Sequence, residues 1–175
     1  LLGVGVVTVG SREYRPEIRE YESGDGSTTR IENSDSVFSE YDEEEVCREI
    51  EEKLGVIAPR LGYQPKGMKL IDFQIQELEG EAIIKYDYLG NEIKIYISKD
   101  FRTSSINAKL DGERENTIIM GNSGKELSVY EYTDSKGETY YETFFEYLNT
   151  YYWITGMIEQ KEFVKILENI TIKNT

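Results

Sequence analysis

The side chains that could do chemistry are few and mostly acidic. Histidine is absent and Cys47 is the only cysteine, so the chain lacks the commonest general base and metal ligand and cannot form an internal disulfide or a paired-cysteine zinc site. Asp72, Asp87 and Asp100 could be combined into an acid–base pair. However, Asp72 and Asp87 fall on the polar faces of predicted strands, where solvated charge is expected. The sequence therefore offers no catalytic residues, and we expect a protein that is not an enzyme.

Sites for cofactors and metals are also missing from the sequence. Cys47 lies on the apolar side of a predicted helix, which favours a small buried hydrophobic residue over a nucleophile. The segment 121–124 (GNSG) lacks the lysine and the serine or threonine of a phosphate-binding loop. No Asp-x-Asp-x-Asp-Gly loop with a closing glutamate indicates a calcium site. We therefore expect no cofactor and no metal.

The charge is strongly negative and unevenly distributed. The formal net charge is −14, and residues 12–53 hold 15 acidic against six basic side chains. Such a charge argues against nucleic acid and against an anionic membrane surface as partners, because both repel it. The acidic stretch is interpreted as a solvated, self-repelling segment. A cation site there is the alternative.

Tyrosine is the one abundant residue type suited to contacts, with 14 copies in the chain. Tyrosine is enriched at protein interfaces, and the strand-forming segments place a possible binding face at Tyr130, Tyr132, Tyr140 and Tyr152. The alternative is that these are half-buried sheet residues whose hydroxyls reach water. The sequence leaves both interpretations open.

Period-2 alternation predicts most of the fold. The runs 68–78, 82–88 and 92–98 alternate and are joined by short turns that contain glycine, which is typical of an antiparallel meander. In the first run, Ile71, Phe73 and Ile75 are expected on one face. Further strands are expected at 117–120 and 127–132, and an aromatic hairpin at 139–148 and 151–155 with its turn at 149–150.

Two helices are expected to accompany this sheet. Residues 42–54 begin at a capping Asp42 and end before Gly55, and residues 160–169 follow the hairpin without a strong cap. We expect an α+β fold in which both helices pack on one face of a single antiparallel, meander-rich sheet. The expected core residues are Val46, Ile50, Trp153, Phe163, Ile166 and Ile170.

The first forty residues differ from the rest in composition. Residues 1–10 are uncharged and apolar, and we interpret them as the end of a transmembrane or signal segment, with a strand as the alternative. Residues 11–41 are polar and acidic and are expected to form a stalk. Residues 42–175 would then be an α+β domain outside the cytoplasmic membrane.

The end of the chain resembles a known family. Residues 151–156 (YYWITG) and 162–170 (EFVKILENI) are similar to the end of an uncharacterised domain of Gram-positive bacteria, found outside the membrane at the C-terminus of single-pass, anti-sigma-factor-like proteins. In that family the helix has the form Glu-Leu-x-x-Ile-Ala, and here Phe163 and Leu167 take the Leu and Ala places. The resemblance spans about the last 110 residues and implies a fold. It supplies no catalytic residues.

The expected function is therefore binding. We expect a non-enzymatic binding or sensory domain of a membrane-anchored protein, whose partner is a protein, peptide or glycan at the cell envelope. The alternative is a structural or scaffold domain of a cell-envelope protein with no ligand of its own. The oligomeric state is left open.

Overall fold

The protein combines two helices with a large antiparallel sheet. The computed structural model describes residues 41–100 and 124–172 in full, and only the backbone of the strands within 2–33 and 113–120. The helices are α1 (Glu43–Leu54) and α2 (Gln160–Glu168). The strands are β1 (Leu2–Val4), β2 (Val7–Val9), β3 (Arg12–Tyr14), β4 (Pro16–Ser23), β5 (Gly26–Asn33), β6 (Arg60–Leu61), β7 (Met68–Gln76), β8 (Glu81–Tyr88), β9 (Asn91–Ser98), β10 (Glu113–Met120), β11 (Lys125–Thr133), β12 (Thr139–Tyr147), β13 (Thr150–Gly156) and β14 (Ile170–Thr171).

The sheet consists of two antiparallel units joined side by side. Strands β7, β8 and β9 form one unit and β11, β12 and β13 the other. The last strand of each unit lies against the other, so the spatial order is β7-β8-β9-β13-β12-β11. Backbone pairing continues beside β7 through β5, β4 and β1, and beside β11 to β10. Strands β6 and β14 form a separate small ladder, as do β2 and β3. The predicted α+β class with an antiparallel sheet is confirmed.

The alternation expected for the first strand is wrong at one position. A register shift between Leu70 and Asp72 marks a β-bulge in β7, and a bulge changes which face the neighbouring side chains occupy. Ile71 is therefore 40% exposed, whereas Leu70 and Phe73 are buried. The hairpin turn is also displaced by one residue, to 148–149, where Leu148 and Asn149 both have positive φ, as a tight two-residue hairpin turn requires.

Helix α1 begins where the sequence predicts. The Asp42 side chain accepts hydrogen bonds from the backbone N–H groups of Glu44 and Glu45, which satisfies donors that a helix start leaves unpaired. Gly55, in the left-handed conformation, ends the helix and donates its N–H to the Glu51 carbonyl. Glycine adopts that conformation without the penalty other residues incur.

The glutamates of α1 are bound to the segment that follows the helix. Glu43 accepts from the Leu61 N–H, and Glu51 accepts from the Ala58 N–H. The Arg60 guanidinium pairs with Glu51 and with Glu44, 2.8 Å away, and this hydrogen bond holds the pKa of the Glu44 carboxyl below its ordinary value. In this part of the acidic stretch, the glutamates therefore form charge-assisted hydrogen bonds that hold the segment after α1 against the helix.

The core lies between the sheet and the two helices. Alternate residues of β8, β9, β12 and β13 point toward the helices and are buried with the helix residues in one cluster. Five of the residues expected in the core are each at most 3% exposed, namely Val46, Ile50, Phe163, Ile166 and Ile170. Helix α2 has no side-chain cap at Glu159, so packing of its apolar side holds it in place.

The described helices contain no membrane-spanning segment: neither α1 nor α2 has the length and apolar character that a span needs.

The assignments of residues 1–10 to a membrane or signal segment and of 11–41 to a stalk fall outside the residues described in full, apart from Tyr41. They stay predictions. Tyr41 itself is buried and packs edge-on against Phe73, with ring centroids 5.8 Å apart.

The junction between the two units depends on a glycine, which has no side chain to occupy the space between the strands. Gly156 lies opposite Ile93, and a Cβ at Gly156 would lie 2.8 Å from Ile93 Cγ1. Ile93 is only 1% exposed, so its side chain cannot move into solvent. Only glycine allows this end of β13 to approach β9.

We predict that Gly156→Ala destabilises the protein by about 1–3 kcal/mol, because the added methyl overfills a packed core. Urea unfolding measures this. In an Ile93→Ala background the same change should cost clearly less, because the clashing atoms are gone. Equal costs in both backgrounds would contradict the proposed contact.

Candidate functional site

The face of the sheet turned away from both helices is rich in aromatic residues. It carries side chains of β9, β11, β12 and β13 at the positions that alternate with the core residues. We call it the aromatic face. It consists of Tyr96, Tyr130, Tyr132, Tyr140, Phe144, Tyr151 and Trp153.

The centre of the aromatic face is a row of stacked rings. Trp153 lies between its cross-strand partners Tyr96 and Phe144. The Tyr96 and Trp153 rings are 4.6 Å apart and inclined by 19°, and those of Phe144 and Tyr151 are 6.1 Å apart and inclined by 18°. The first distance is close to the spacing between strands, about 4.8 Å, so Tyr96 and Trp153 stack face to face across the β9–β13 pair. Phe144 and Tyr151 form a second, offset pair.

The expectation that Trp153 is a core residue is wrong. Its neighbours Tyr152 and Ile154 point into the core, and strand alternation therefore sends Trp153 to the other face, where it is half-buried. Its indole N–H donates to Glu142 Oε2 over 3.1 Å. Glu142 is only 6% exposed, so this bond orients the indole firmly.

The expectation that Tyr152 belongs to a binding face is also wrong. Tyr152 is fully buried on the helix side, where its ring stacks on Phe145 at 5.0 Å. Its hydroxyl donates to the Ile57 carbonyl over 2.8 Å, and burial raises the pKa of this hydroxyl. Tyr152 therefore ties β13 to the segment after α1.

The other three candidate tyrosines lie together on the aromatic face. Tyr132 is 41% exposed, and Tyr130 and Tyr140 are half-buried. Tyr132 and Tyr140 are cross-strand partners with ring centroids 6.4 Å apart. They extend the row of rings toward the β11 side of the sheet.

A cleft of about 470 Å³ lies at one end of the sheet. It is open to solvent and is bordered by the β8–β9 turn, the first residues of β12 and the start of α2. Its lining residues are Tyr88, Leu89, Asn91, Glu131, Thr139, Tyr141, Met157, Ile158, Glu159 and Gln160. A smaller hollow of about 280 Å³ adjoins it through Asn91 and Met157 and reaches Tyr140 on the aromatic face.

The cleft pairs tyrosines with carboxylates. The Tyr141 hydroxyl donates to Glu131 Oε2 over 2.9 Å. Burial and the neighbouring carboxylate of Glu159 raise the pKa of the Tyr88 hydroxyl. Sequence reasoning missed this site because its members come from distant strands and a helix start, and no local pattern links them.

Two of the side chains considered for catalysis, Asp72 and Cys47, have structural surroundings. Asp72 pairs with Lys85 at 3.4 Å. The Cys47 thiol is buried, which raises its pKa to about 12, so it remains protonated and a poor nucleophile. Within residues 41–100 and 124–172, no three cysteine, aspartate or glutamate side chains come together as metal ligands would.

Comparison with known protein families identifies the family of this chain. A family model described as a domain of unknown function, DUF4367, matches residues 58–170. The chain belongs to the DUF4367 family. The expected membership of an uncharacterised domain family is thereby confirmed, and the DUF4367 match covers strands β7 to β13 and α2 but not α1. No curated protein and no solved structure matches the chain significantly.

We predict that Trp153, the only tryptophan of the chain, shows fluorescence of a partly exposed indole, quenched by acrylamide to an intermediate degree. Tyr96→Ala should increase the quenching constant, because it uncovers one face of the indole. Tyr132→Ala, on the same face but without a ring contact to Trp153, should leave it unchanged. Emission that resists quenching in all three proteins would place Trp153 in the core.

Proposed function

We propose that this DUF4367 domain is a non-enzymatic binding or sensory domain that recognises its partner through the aromatic face. The observation that supports this most is the composition of that face. Antiparallel sheets with one covered face usually turn polar residues outward, yet seven aromatic residues from four strands lie here, partly exposed. Tyrosine, tryptophan and phenylalanine are the side chains enriched at protein interfaces, and tyrosine and tryptophan often dominate their binding energy.

Ring orientation favours a protein or peptide as the partner over a glycan. A sugar stacks on an exposed ring face, but the pairs Tyr96–Trp153 and Phe144–Tyr151 each turn a ring face toward the partner ring. The remaining surface of these rings can contact apolar side chains. Lys94, which lies on the same face of β9 as Tyr96, can hydrogen-bond at the edge of the aromatic face.

Catalysis has little support in the described residues. Cys47 is buried as a protonated thiol. Asp72 is paired with Lys85, and the glutamates of α1 hold the chain segment after the helix. Each of these groups therefore has a structural role that accounts for its position.

We further propose that the domain works outside the cytoplasmic membrane, at the end of a membrane-anchored, anti-sigma-factor-like protein of a Gram-positive bacterium. The apolar residues 1–10 and the acidic residues 11–41 support this arrangement, because an excess of lysine and arginine marks the cytoplasmic flank of a span. The resemblance of residues 151–170 to the C-terminal domains of such proteins supports it further. In this arrangement, binding of a partner to the domain would be transmitted to the membrane anchor.

A structural role without a ligand is the second candidate. The contacts of Trp153 with Tyr96 and Glu142 stabilise the sheet whether or not a partner exists, since an aromatic pair contributes about 0.5–1.5 kcal/mol. The two candidates differ in whether a partner covers the aromatic face.

The location is tested by protease treatment of intact cells that express the full-length protein. We expect cleavage within residues 11–41 from outside, with release of a fragment that contains the folded domain. Complete protection in intact cells, with cleavage only after lysis, would contradict the location.

The binding face is tested by a photo-crosslinking amino acid in full-length protein in cells. Placed at Tyr132, it should give a discrete crosslinked product that is lost when Tyr96→Ala and Phe144→Ala are added. Placed at Lys161, exposed on α2 on the opposite side, it serves as the matched control and should give no such product. The same product from both positions, or none from Tyr132, would argue against the aromatic face.

A further inference from the structure

The cleft at the end of the sheet has the chemistry of a site for an organic cation. We propose that it binds an alkylammonium or guanidinium group carried on a flexible chain, as in a lysine or arginine side chain of a peptide. This goes beyond the proposed function, because the cleft lies on the helix side of the sheet and outside the aromatic face.

The charge of the lining is the first support. Among its ten residues, Glu131 and Glu159 are acidic and none is lysine or arginine. No ion pair within residues 41–100 and 124–172 involves either glutamate. A cation would therefore meet two carboxylates without displacing a described basic side chain. The net charge of −14 adds a long-range attraction for a basic ligand.

The hydrogen bonding of the cleft points to a donor ligand. The Tyr141 hydroxyl donates to Glu131, which orients that carboxylate toward the tyrosine. An ionised carboxylate has about four acceptor sites, so sites on Glu131 remain for another donor. Ammonium and guanidinium groups are donors only, and they form charge-assisted bonds with carboxylates.

The walls suit the hydrocarbon part of such a ligand. Half-buried Tyr141 and Met157 present apolar surface, while Tyr88 and Ile158 line the base and are almost fully buried. Tyrosine rings also attract a cation through their electron-rich faces. The volume of about 470 Å³ lies within the range of about 300–1,000 Å³ that small-ligand sites occupy. A lysine or arginine side chain fits this size.

Among the described residues around the cleft, the start of α2 opposes a cation. The positive end of the helix dipole lies there, because α2 begins at Gln160. Glu159 occupies the cap position and Glu162 the first turn, and both carry negative charge that offsets the dipole. Among the described residues near the start of α2, the negative charge of the glutamates therefore still favours binding of a cation.

The test is an NMR titration of the folded chain with a minimal probe. The probe is N-acetyl-lysine methylamide, and its matched control is the same compound with the ε-amine acetylated, which removes only the charge. We expect the charged probe to shift the backbone amide signals of Asn91, Met157 and Gln160 in a saturable way. The acetylated compound should not shift them, and N-acetyl-arginine methylamide tests the guanidinium arm.

The protein variants separate a site from a general charge effect. Glu131→Gln with Glu159→Gln should weaken binding of the charged probe at least about tenfold, since each loses a hydrogen bond between charged groups. The control is Glu126→Gln with Glu168→Gln, which makes the same charge change at exposed positions of β11 and α2 outside the cleft. It should leave binding within about twofold of the unchanged protein.

Three outcomes would overturn the proposal: no saturable shift at the cleft with either charged probe, equal shifts from the acetylated compound, or equal weakening by both pairs of substitutions. The test stands apart from the proposed function. Tyr132→Ala, on the aromatic face, should leave probe binding unchanged, so a failure at one surface is distinguishable from a failure at the other.

Discussion

The pairing of β9 with β13 is the contact on which the rest of this structure depends. It joins two three-stranded units that are separate along the chain into one sheet. The joined sheet is wide enough to hold both helices on one face, α1 over the first unit and α2 over the second. The same pairing brings Tyr96 beside Trp153 on the other face and Gly156 against Ile93 in the core. The core, the junction between the two units and the aromatic face therefore all depend on the register of the β9–β13 pair.

That register also decides which aromatic residues point into the core and which lie on the aromatic face. In β13, Tyr152 points inward and donates to the Ile57 carbonyl, while Trp153 points outward and bonds Glu142. A shift of one residue would exchange their places. The hydrogen bonds at both positions resist such a shift, because it would leave the buried Tyr152 hydroxyl and the buried Glu142 carboxylate without these partners, and an unpaired buried polar group costs about 1–3 kcal/mol. The outward rings can thus be substituted with less damage to the fold than the inward ones.

Much of the fold could be predicted from local patterns. Alternation and glycine-bearing turns predicted strands β7 to β13, and Asp42 and Gly55 predicted the bounds of α1, because these signals act between near neighbours. The faces of the aromatic hairpin could not be predicted, since 140–147 and 151–154 carry aromatic residues at both parities, and which side the helices cover is a long-range fact. Ile71 was misplaced because a bulge leaves no clear local signal. The candidate sites were only partly predictable: three tyrosines lie on the aromatic face, whereas the cleft is assembled from distant segments.

The central claim is that the aromatic face is covered by a partner in the native setting. Hydroxyl-radical footprinting with mass spectrometry, applied to the purified domain and to the full-length protein in the cell envelope, tests it most directly. We expect oxidation of Trp153, Phe144 and Tyr132 to fall severalfold in the envelope relative to the purified domain. Oxidation of Leu148, exposed at a hairpin turn outside this face, should stay the same. Equal oxidation of the aromatic face in both settings would contradict the account.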